Sequence, residues 1–196
     1  MARVSLLRAA RRLLDALSDP ESAVIGGLAV SAHGYVRATR DVDILVAISL
    51  EEARRRLTSR GIEARIRRGD FFEGDFPVLK GTVGGVPFDI VSRLVPFEAA
   101  RGYSVRAAAL ELRVVDLETL ARLKLKAASP KDLWDLAILV HLNPEARERI
   151  LELASHHPEL NERFRSYVDD PRARREALER AKDVTKPVTP RKKKHK

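Results

Sequence analysis

The chain of 196 residues contains no cysteine and no long apolar segment. The absence of cysteine excludes a disulfide scaffold and any thiolate metal site. No run approaches the ~20 apolar residues that a membrane-spanning helix needs. The arginine-rich, amphipathic N-terminus also lacks the continuous apolar stretch of a signal peptide. We therefore expect a cytoplasmic protein without a membrane partner.

Acidic residues are fewer than basic ones, 28 Asp and Glu against 37 Lys and Arg, which gives a formal net charge of +9. Residues 186–196 hold six of the basic residues and no acidic one, so the rest of the chain carries only +3. We expect residues 184–196 to form a disordered basic tail. Such a tail suits either non-specific binding to RNA phosphates or a solubilising role.

The distribution of apolar residues predicts two parts. Residues 1–96 have the pattern of a mixed α/β domain, and residues 97–183 are mostly helical. The clearest helices of the second part are expected over 116–128 and 130–142, whereas residues 106–115 are ambiguous between helix and strand. The 44% hydrophobic content suffices for a sizeable core, which excludes wholesale disorder.

Two acidic residues open the best strand of the chain, predicted over 42–48. Asp41 and Asp43 stand at positions i and i+2, so their side chains point to the same face of the strand. Two adjacent carboxylates repel each other, and a divalent cation removes that conflict. Mg²⁺ takes oxygen ligands of this kind. The alternative is a solvated strand edge or a turn, where such pairs are also common.

A third acidic residue lies in a predicted hairpin. The Gly84-Gly85 pair separates two β-rich runs, which is a strong signal for a tight turn. Asp89 lies in the second run, where aspartate is unusual. If this strand lies beside the 42–48 strand, Asp89 shares a face with Asp41 and Asp43. Three carboxylates on adjacent strands could hold two metal ions for in-line phosphoryl transfer.

A glycine pair precedes these carboxylates. Gly26 and Gly27 stand between a short apolar run and a helical pattern of small residues. Glycine lets the backbone approach a phosphate closely, and the following helix offers free N–H groups to an anion. Alone, however, a glycine pair usually marks only a turn.

The stretch from Gly26 to Val46, Gly-Gly-Leu-Ala-Val-Ser-Ala-His-Gly-Tyr-Val-Arg-Ala-Thr-Arg-Asp-Val-Asp-Ile-Leu-Val, resembles the core motif of the nucleotidyltransferase (polymerase β-like) superfamily. More narrowly, it resembles the minimal prokaryotic members related to the abortive-infection nucleotidyltransferase toxins. A second block, with Lys124 on one helix and Lys131-Asp-Leu-Trp-Asp135-Leu on the next, is similar to a later motif of that family. The resemblance covers about residues 20 to 142.

The resemblance implies an α+β fold in which a mixed sheet is flanked by helices and followed by a C-terminal helical portion. It implies that Gly26 and Gly27 hold the triphosphate and that Asp41, Asp43 and Asp89 are catalytic and bind Mg²⁺. Many members have serine where this chain has Gly27, so one hydroxyl contact to phosphate is missing here.

Helical spacing places Lys124 and Asp135 on inward-facing stripes, where a lysine needs an anionic partner or a wet cavity. Lys124 could contact nucleotide phosphate and Asp135 could orient it, or the two could form a structural ion pair. Asp132 follows a Ser-Pro helix start, which favours a role at the helix N-terminus.

Three residues of the loop before the carboxylates are further candidates for nucleotide binding: Arg37, Thr39 and Arg40. The arginines could neutralise the carboxylates, meet substrate phosphates or remain solvated charges, and Thr39 could bond the turn backbone. His33 and Trp134 are interpreted as packing residues. A final group could line a substrate groove or cover the sheet edge: Phe71, Phe72 and Phe76.

These patterns predict a Mg²⁺-dependent nucleotidyltransferase that moves a nucleoside monophosphate from an NTP to an acceptor hydroxyl. The resemblance suggests a tRNA or protein acceptor and a toxin role beside an antitoxin partner. A small-molecule acceptor such as an antibiotic is also compatible with the fold. The alternative is a non-catalytic scaffold that binds nucleic acid or a partner protein.

Overall fold

The computed structural model describes residues 2–68, 76–92, 102–107, 110–156 and 158–184. Its helices are α1 Ala2–Leu17, α2 Gly26–Ala32, α3 Leu50–Ser59, α4 Leu117–Ala127, α5 Pro130–Leu142, α6 Arg147–Ser155, α7 Pro158–Val168 and α8 Pro171–Val184, with a 3₁₀ turn at Pro144–Ala146. Its strands are β1 Ala23–Ile25, β2 Val42–Val46, β3 Ala64–Arg67, β4 Val78–Val83, β5 Val86–Ser92, β6 Gly102–Ala107 and β7 Leu110–Val115.

Within these residues the strands form one mixed sheet in the order β3-β4-β5-β2-β1-β7-β6. The central strand β2 is parallel to β5 and antiparallel to β1, while β1 is parallel to β7. The pairs β3–β4, β4–β5 and β6–β7 are antiparallel. The strand that carries Asp43 therefore lies directly beside the strand that carries Asp89.

Helices cover this sheet through apolar side chains. The first helix, α1, packs on α3 and on the sheet, while α2 packs on β1, β2 and β7 and contacts α4. Helix α5 is apolar around most of its surface and packs between α4, α7 and α8. Its burial is nearly complete over Leu136–Val140, as expected for a helix that is surrounded by others.

Polar residues define where the helices begin. The Ser49, Asp116 and Ser129 side chains each accept a backbone N–H bond at the start of α3, α4 and α5. Such caps satisfy donors that have no partner inside the helix. They fix the starts of α4 and α5, the helices that bring Lys124 and Asp135 to the sheet.

The predicted hairpin is present, since Val83 pairs with Val86 across Gly84 and Gly85, both of which have positive φ. Other boundaries differ: β2 ends at Val46 rather than at residue 48, and α2 begins at Gly26 itself. The ambiguous residues 106–115 contribute to β6 and β7, so the sheet continues beyond residue 96.

Two predictions concern residues outside the described part of the chain. Phe71 and Phe72 are outside it, as are residues 185–196 of the predicted tail. Among the described helices, none has the length and apolar character needed to cross a membrane.

Candidate active site

Three carboxylates lie together on β2 and β5. The pairing of the two parallel strands places Asp43 directly opposite Asp89, and Asp41 precedes Asp43 by two residues on the same side. Asp41 is exposed, whereas Asp43 and Asp89 are partly buried. The parallel register thus brings together the three acidic residues that sequence analysis singled out.

Asp43 has the most perturbed environment of the three. Burial is the main cause that raises its pKa to about 7, and the negative charges of Asp41 and Asp89 raise it further. A hydrogen bond from the Gly27 N–H and the charge of Lys124 act in the opposite direction. At neutral pH the Asp43 carboxyl of the free site is therefore about half protonated, and a cation could replace that proton.

The glycine pair packs directly against Asp43. Gly26 has φ +61°, and a Cβ atom there would lie 1.9 Å from Asp43 Oδ2. No other residue fits this position without moving the carboxylate, because both the backbone conformation and the space require glycine. The absence of a side chain at Gly26 thus lets the backbone lie directly against the Asp43 carboxylate.

Thr39 occupies the space beside Gly27. A Cβ at Gly27 would lie 2.6 Å from Thr39 Oγ1, and that hydroxyl donates to Asp41 Oδ1 over 3.0 Å. Thr39 therefore places a hydroxyl close to the point that the hydroxyl of a serine at position 27 would occupy.

Lys124 and Asp135 form an ion pair, as one of the two interpretations anticipated. Lys124 Nζ donates to Asp135 Oδ2 over 2.8 Å, and both side chains are at most 5% exposed. Arg37 completes the group, since its Nε and Nη2 donate to the two Asp135 oxygens, each over 2.7 Å. This two-pronged contact connects the loop before β2 to α5.

Asp132 makes one contact that sequence analysis did not predict. It lies at the start of α5, where its N–H donates to Ser129 Oγ, as predicted. Its carboxylate also accepts from Lys124 Nζ over 2.8 Å. We call Arg37, Lys124, Asp132 and Asp135 the buried ion network; its two positive and two negative charges balance.

Lys80 is a site residue that sequence analysis missed. Its Nζ lies 2.5 Å from Asp89 Oδ2, on the neighbouring strand β4. The signal was present in the hairpin, because a two-residue turn at Gly84-Gly85 places Lys80 opposite Asp89.

Other candidates have less specific surroundings. Arg40 is exposed and has no ion-pair partner among the described residues. His33 Nε2 lies 2.9 Å from the Val115 carbonyl oxygen, and burial lowers the pKa of its ring, which agrees with its interpretation as a packing residue. Trp134 packs edge-on against Tyr167. Lys126 lies over the ring of Phe76, 4.6 Å from its centre.

The donor chemistry of the carboxylates fits a hard divalent cation. All three supply oxygen, and the pKa of Asp43 is raised first by burial and then by the negative charges of Asp41 and Asp89, both of which a cation would offset. As the described side chains stand, however, no three of the metal-ligating type are arranged to hold an ion. Asp89 is engaged by Lys80, so a third ligand requires that pair to open.

Comparison with known proteins supplies the fold type. No protein-family model and no curated protein matches the chain. An antigenic nucleotidyltransferase-like protein from Paracoccidioides brasiliensis is similar in structure, with TM-score 0.50 and 16% identity over 91% of this chain and 92% of that one. ANT(2″)-Ia in complex with adenylyl-2″-tobramycin has TM-score 0.52 and 16% identity over 85% of this chain and 98% of its own. The chain therefore has the α+β fold of nucleotidyltransferase-like proteins, with a mixed sheet flanked by helices.

Proposed function

We propose that this protein transfers a nucleoside monophosphate from an NTP to an acceptor hydroxyl and releases pyrophosphate. The observation that carries the proposal is the position of Asp43. It lies between two other carboxylates and against the Gly26 backbone, with a pKa raised to about 7. A carboxyl group with a raised pKa beside other acidic residues is typical of catalytic sites. The shared fold supports the same class of reaction.

In the proposed step, the acceptor oxygen attacks the α-phosphorus of the NTP. A new P–O bond forms while the bond from the α-phosphorus to the bridging oxygen breaks, and pyrophosphate leaves. Asp89 is proposed to take the acceptor proton once its ion pair with Lys80 has opened, because the resemblance described above implies a catalytic role for this carboxylate. The protonated Asp89 then returns the proton to solvent.

Asp41 and Asp43, with Asp89 once it is released from Lys80, would hold Mg²⁺. Bound there, the ion supplies positive charge that neutralises the carboxylates and the phosphate oxygens.

The triphosphate is proposed to lie along the glycine pair and the loop before β2. Gly26 and Gly27 offer close backbone approach, and Thr39 offers a hydroxyl. Arg37 and Lys124 are proposed to contact the phosphates through N–H donors that their bonds within the buried ion network leave over, with Asp135 holding both in place. Arg40 is exposed nearby and is free to contact phosphate.

The acceptor and the biological setting extend the proposal. ANT(2″)-Ia was crystallised with a nucleotidylated antibiotic, which supports a hydroxyl acceptor for the present site. The sequence resemblance described above suggests a tRNA or protein acceptor and a toxin role beside an antitoxin protein, and the proposal includes both, with the cytoplasm as the expected location.

The test is transfer of label from each α-³²P-NTP in the presence of Mg²⁺ and total tRNA. We compare the wild type with Asp43→Asn and with the matched control Asp169→Asn, whose side chain is exposed between α7 and α8. We expect labelling by the wild type and the control, and loss of at least about a thousand-fold in Asp43→Asn. Equal labelling by all three proteins would exclude the proposed site.

A second candidate function is a non-catalytic scaffold. The Lys80–Asp89 ion pair favours it, because it occupies the carboxylate that the reaction needs. If the protein is a scaffold, we expect no labelling with any NTP or acceptor. We also expect no change in the chemical shift of the Asp43 carboxyl on titration with Mg²⁺. The Asp43 carboxyl ¹³C shift, followed by NMR during Mg²⁺ titration, distinguishes the two functions without an acceptor.

A further inference from the structure

One carboxylate of α8 joins two residues that flank the buried ion network. Glu176 Oε1 accepts from the Tyr35 hydroxyl over 2.8 Å, and Glu176 Oε2 accepts from Trp134 Nε1 over 3.3 Å. Tyr35 stands two positions before Arg37 in the chain. Trp134 stands directly before Asp135, the residue to which Arg37 is bonded. These five residues therefore form a closed ring of contacts, which we call the contact ring.

Most of the contact ring is shielded from water. Tyr35 is 5% exposed, and the side chains of Arg37 and Asp135 are 14% and 2% exposed. Burial and, after it, the hydrogen bond to Glu176 raise the pKa of Tyr35, so the hydroxyl remains a donor at neutral pH. A carboxylate offers one oxygen to each of the two donors, whereas the amide of a glutamine offers only one oxygen in all. The ring therefore favours an acidic residue at position 176.

The contact ring reaches the proposed phosphate site through Arg37. Its Nε and Nη2 donate to Asp135, and its Nη1 donates to the Ala38 carbonyl oxygen over 3.2 Å. Among the described residues these bonds engage three of the five N–H groups of the guanidinium, which leaves two. Nη1 also lies 3.5 Å from the place that a Cβ at Gly27 would take. A displacement of Arg37 would therefore move donors that lie beside the glycine pair.

We propose that Glu176 is a positioning residue for nucleotide binding. It fixes one residue on either side of the Arg37–Asp135 pair, and thereby sets where the unbonded edge of the Arg37 guanidinium lies beside the glycine pair. The inference rests on the proposed function, in which Arg37 contacts the triphosphate. Glu176 does not touch the nucleotide and acts only through Arg37. A helix without a catalytic residue, α8, thus helps to orient the loop before β2.

The alternative is a purely structural role, in which Glu176 only attaches α8 to the rest of the molecule. The two roles differ in their kinetic effect. Loss of a structural contact lowers the fraction of folded enzyme, which lowers the apparent kcat and leaves the KM for the NTP unchanged. Displacement of Arg37 weakens binding of the ground state and the transition state alike, which raises KM and leaves kcat unchanged.

Three variants separate these roles. Glu176→Gln removes one of the two acceptor oxygens, and Tyr35→Phe removes only the hydroxyl that Glu176 binds. Glu179→Gln is the matched control, because it makes the same change of charge at an exposed position of the same helix. Each variant is studied at a temperature at which circular dichroism shows that it is folded.

The first measurement follows Arg37 without a ligand. Its Nε–H signal in a ¹H–¹⁵N spectrum is identified by its absence in Arg37→Lys, and exchange of that proton with water reports opening of the bond to Asp135. We expect exchange about ten-fold faster in Glu176→Gln and Tyr35→Phe, and within about two-fold of the wild type in Glu179→Gln. Unchanged exchange in Glu176→Gln would overturn the proposal. A change that Tyr35→Phe does not reproduce would also overturn it, because the bond to Tyr35 would then have no effect on Arg37.

The second measurement is calorimetric titration with inorganic triphosphate in the presence of Mg²⁺. We expect binding about ten-fold weaker in Glu176→Gln and Tyr35→Phe, and a change of less than about two-fold in Glu179→Gln. With the NTP that the wild type transfers, the first two variants should raise KM about ten-fold and keep kcat within about two-fold. A lower kcat at unchanged KM would assign Glu176 the purely structural role and overturn the proposal.

Failure of the positioning role and failure of the transfer reaction give different results. If the wild type neither binds triphosphate nor transfers label, the proposed function is wrong, and exchange at Arg37 still decides whether Glu176 holds that side chain. If the wild type does both, and Glu176→Gln matches it in KM and in exchange at Arg37, the reaction stands and the positioning role is excluded.

Discussion

Asp43 combines a structural cost with a proposed catalytic role. Its pKa is raised because burial and two neighbouring carboxylates disfavour the charged form. A carboxyl group whose pKa is higher in the folded than in the unfolded state stabilises the fold at low pH and loses that contribution as pH rises. Here the loss extends from about pH 4, the ordinary value, to about pH 7.

Asp43→Asn should therefore stabilise the protein in the presence of a chelator. The gain should be small near pH 4, increase up to about pH 7 and stay constant above it, on the order of 3 kcal/mol. Urea unfolding at a series of pH values measures it, with Asp169→Asn as control. A gain that is the same at pH 4 and pH 8 would contradict the proposed ionisation.

Gly26 offers a sharp test of the packing around Asp43. Gly26 and Gly61 have similar positive φ, +61° and +69°, but an added Cβ meets Asp43 Oδ2 at 1.9 Å in the first case and nothing within 4 Å in the second. Gly61→Ala should cost only the backbone term, about 1–2 kcal/mol. Gly26→Ala should cost more and reduce nucleotidyl transfer as well. Thermal unfolding and the transfer assay report both effects, and equal destabilisation by the two variants would refute the clash.

Among the elements, α4, α5 and the loop before β2 are joined by the buried ion network. Asp135 receives bonds from both Arg37 and Lys124 and is 1% exposed. Removal of one partner from a buried ion pair leaves the opposite charges uncompensated, which costs several kcal/mol.

We accordingly expect Asp135→Asn to destabilise the protein by about 3 kcal/mol. Asp132→Asn should cost about 1 kcal/mol, because that side chain is 25% exposed and solvent screens its charge. Equilibrium unfolding in urea gives both values. If Asp132→Asn lowers the free energy of unfolding more than Asp135→Asn does, the predicted order of the two contributions is wrong.

Elements with strong local signals were predictable from sequence. The Gly84-Gly85 turn and the capped starts of α4 and α5 depend on residues close together in the chain. The place of strand β7 in the sheet was not predictable, since its pairing with β1 joins residues far apart in sequence, although its pairing with β6 is local. The contact between Arg37 and Asp135 could not be predicted for the same reason, because the two residues lie 98 positions apart in sequence. The pairing of Lys80 with Asp89 could have been predicted from the sequence, because the turn alone sets the register of the two residues.

At the scale of the whole molecule, residues 33–37 connect the N-terminal and C-terminal halves. His33 Nε2 contacts the Val115 carbonyl oxygen, Tyr35 Oη donates to Glu176 on α8 over 2.8 Å, and Arg37 binds Asp135. Contacts of this kind make it costly for the helices to separate from the sheet.

We predict that the described structure unfolds in one cooperative transition. Trp134 is the only tryptophan of the chain and lies on α5, so its fluorescence reports the C-terminal helices. Its urea transition should coincide with that of far-UV circular dichroism. Two separate midpoints would show that the halves unfold independently.

The pairing of β2, β4 and β5 also constrains how this sequence can diverge. One residue inserted within β5 ahead of Asp89 turns that side chain to the opposite face of the sheet. This single insertion would move the Asp89 carboxylate away from both Asp43 and Lys80. Substitutions are therefore tolerated along these strands far more readily than changes of length, and homologues that keep the chemistry should share the spacing from Lys80 to Asp89 even where little else is retained.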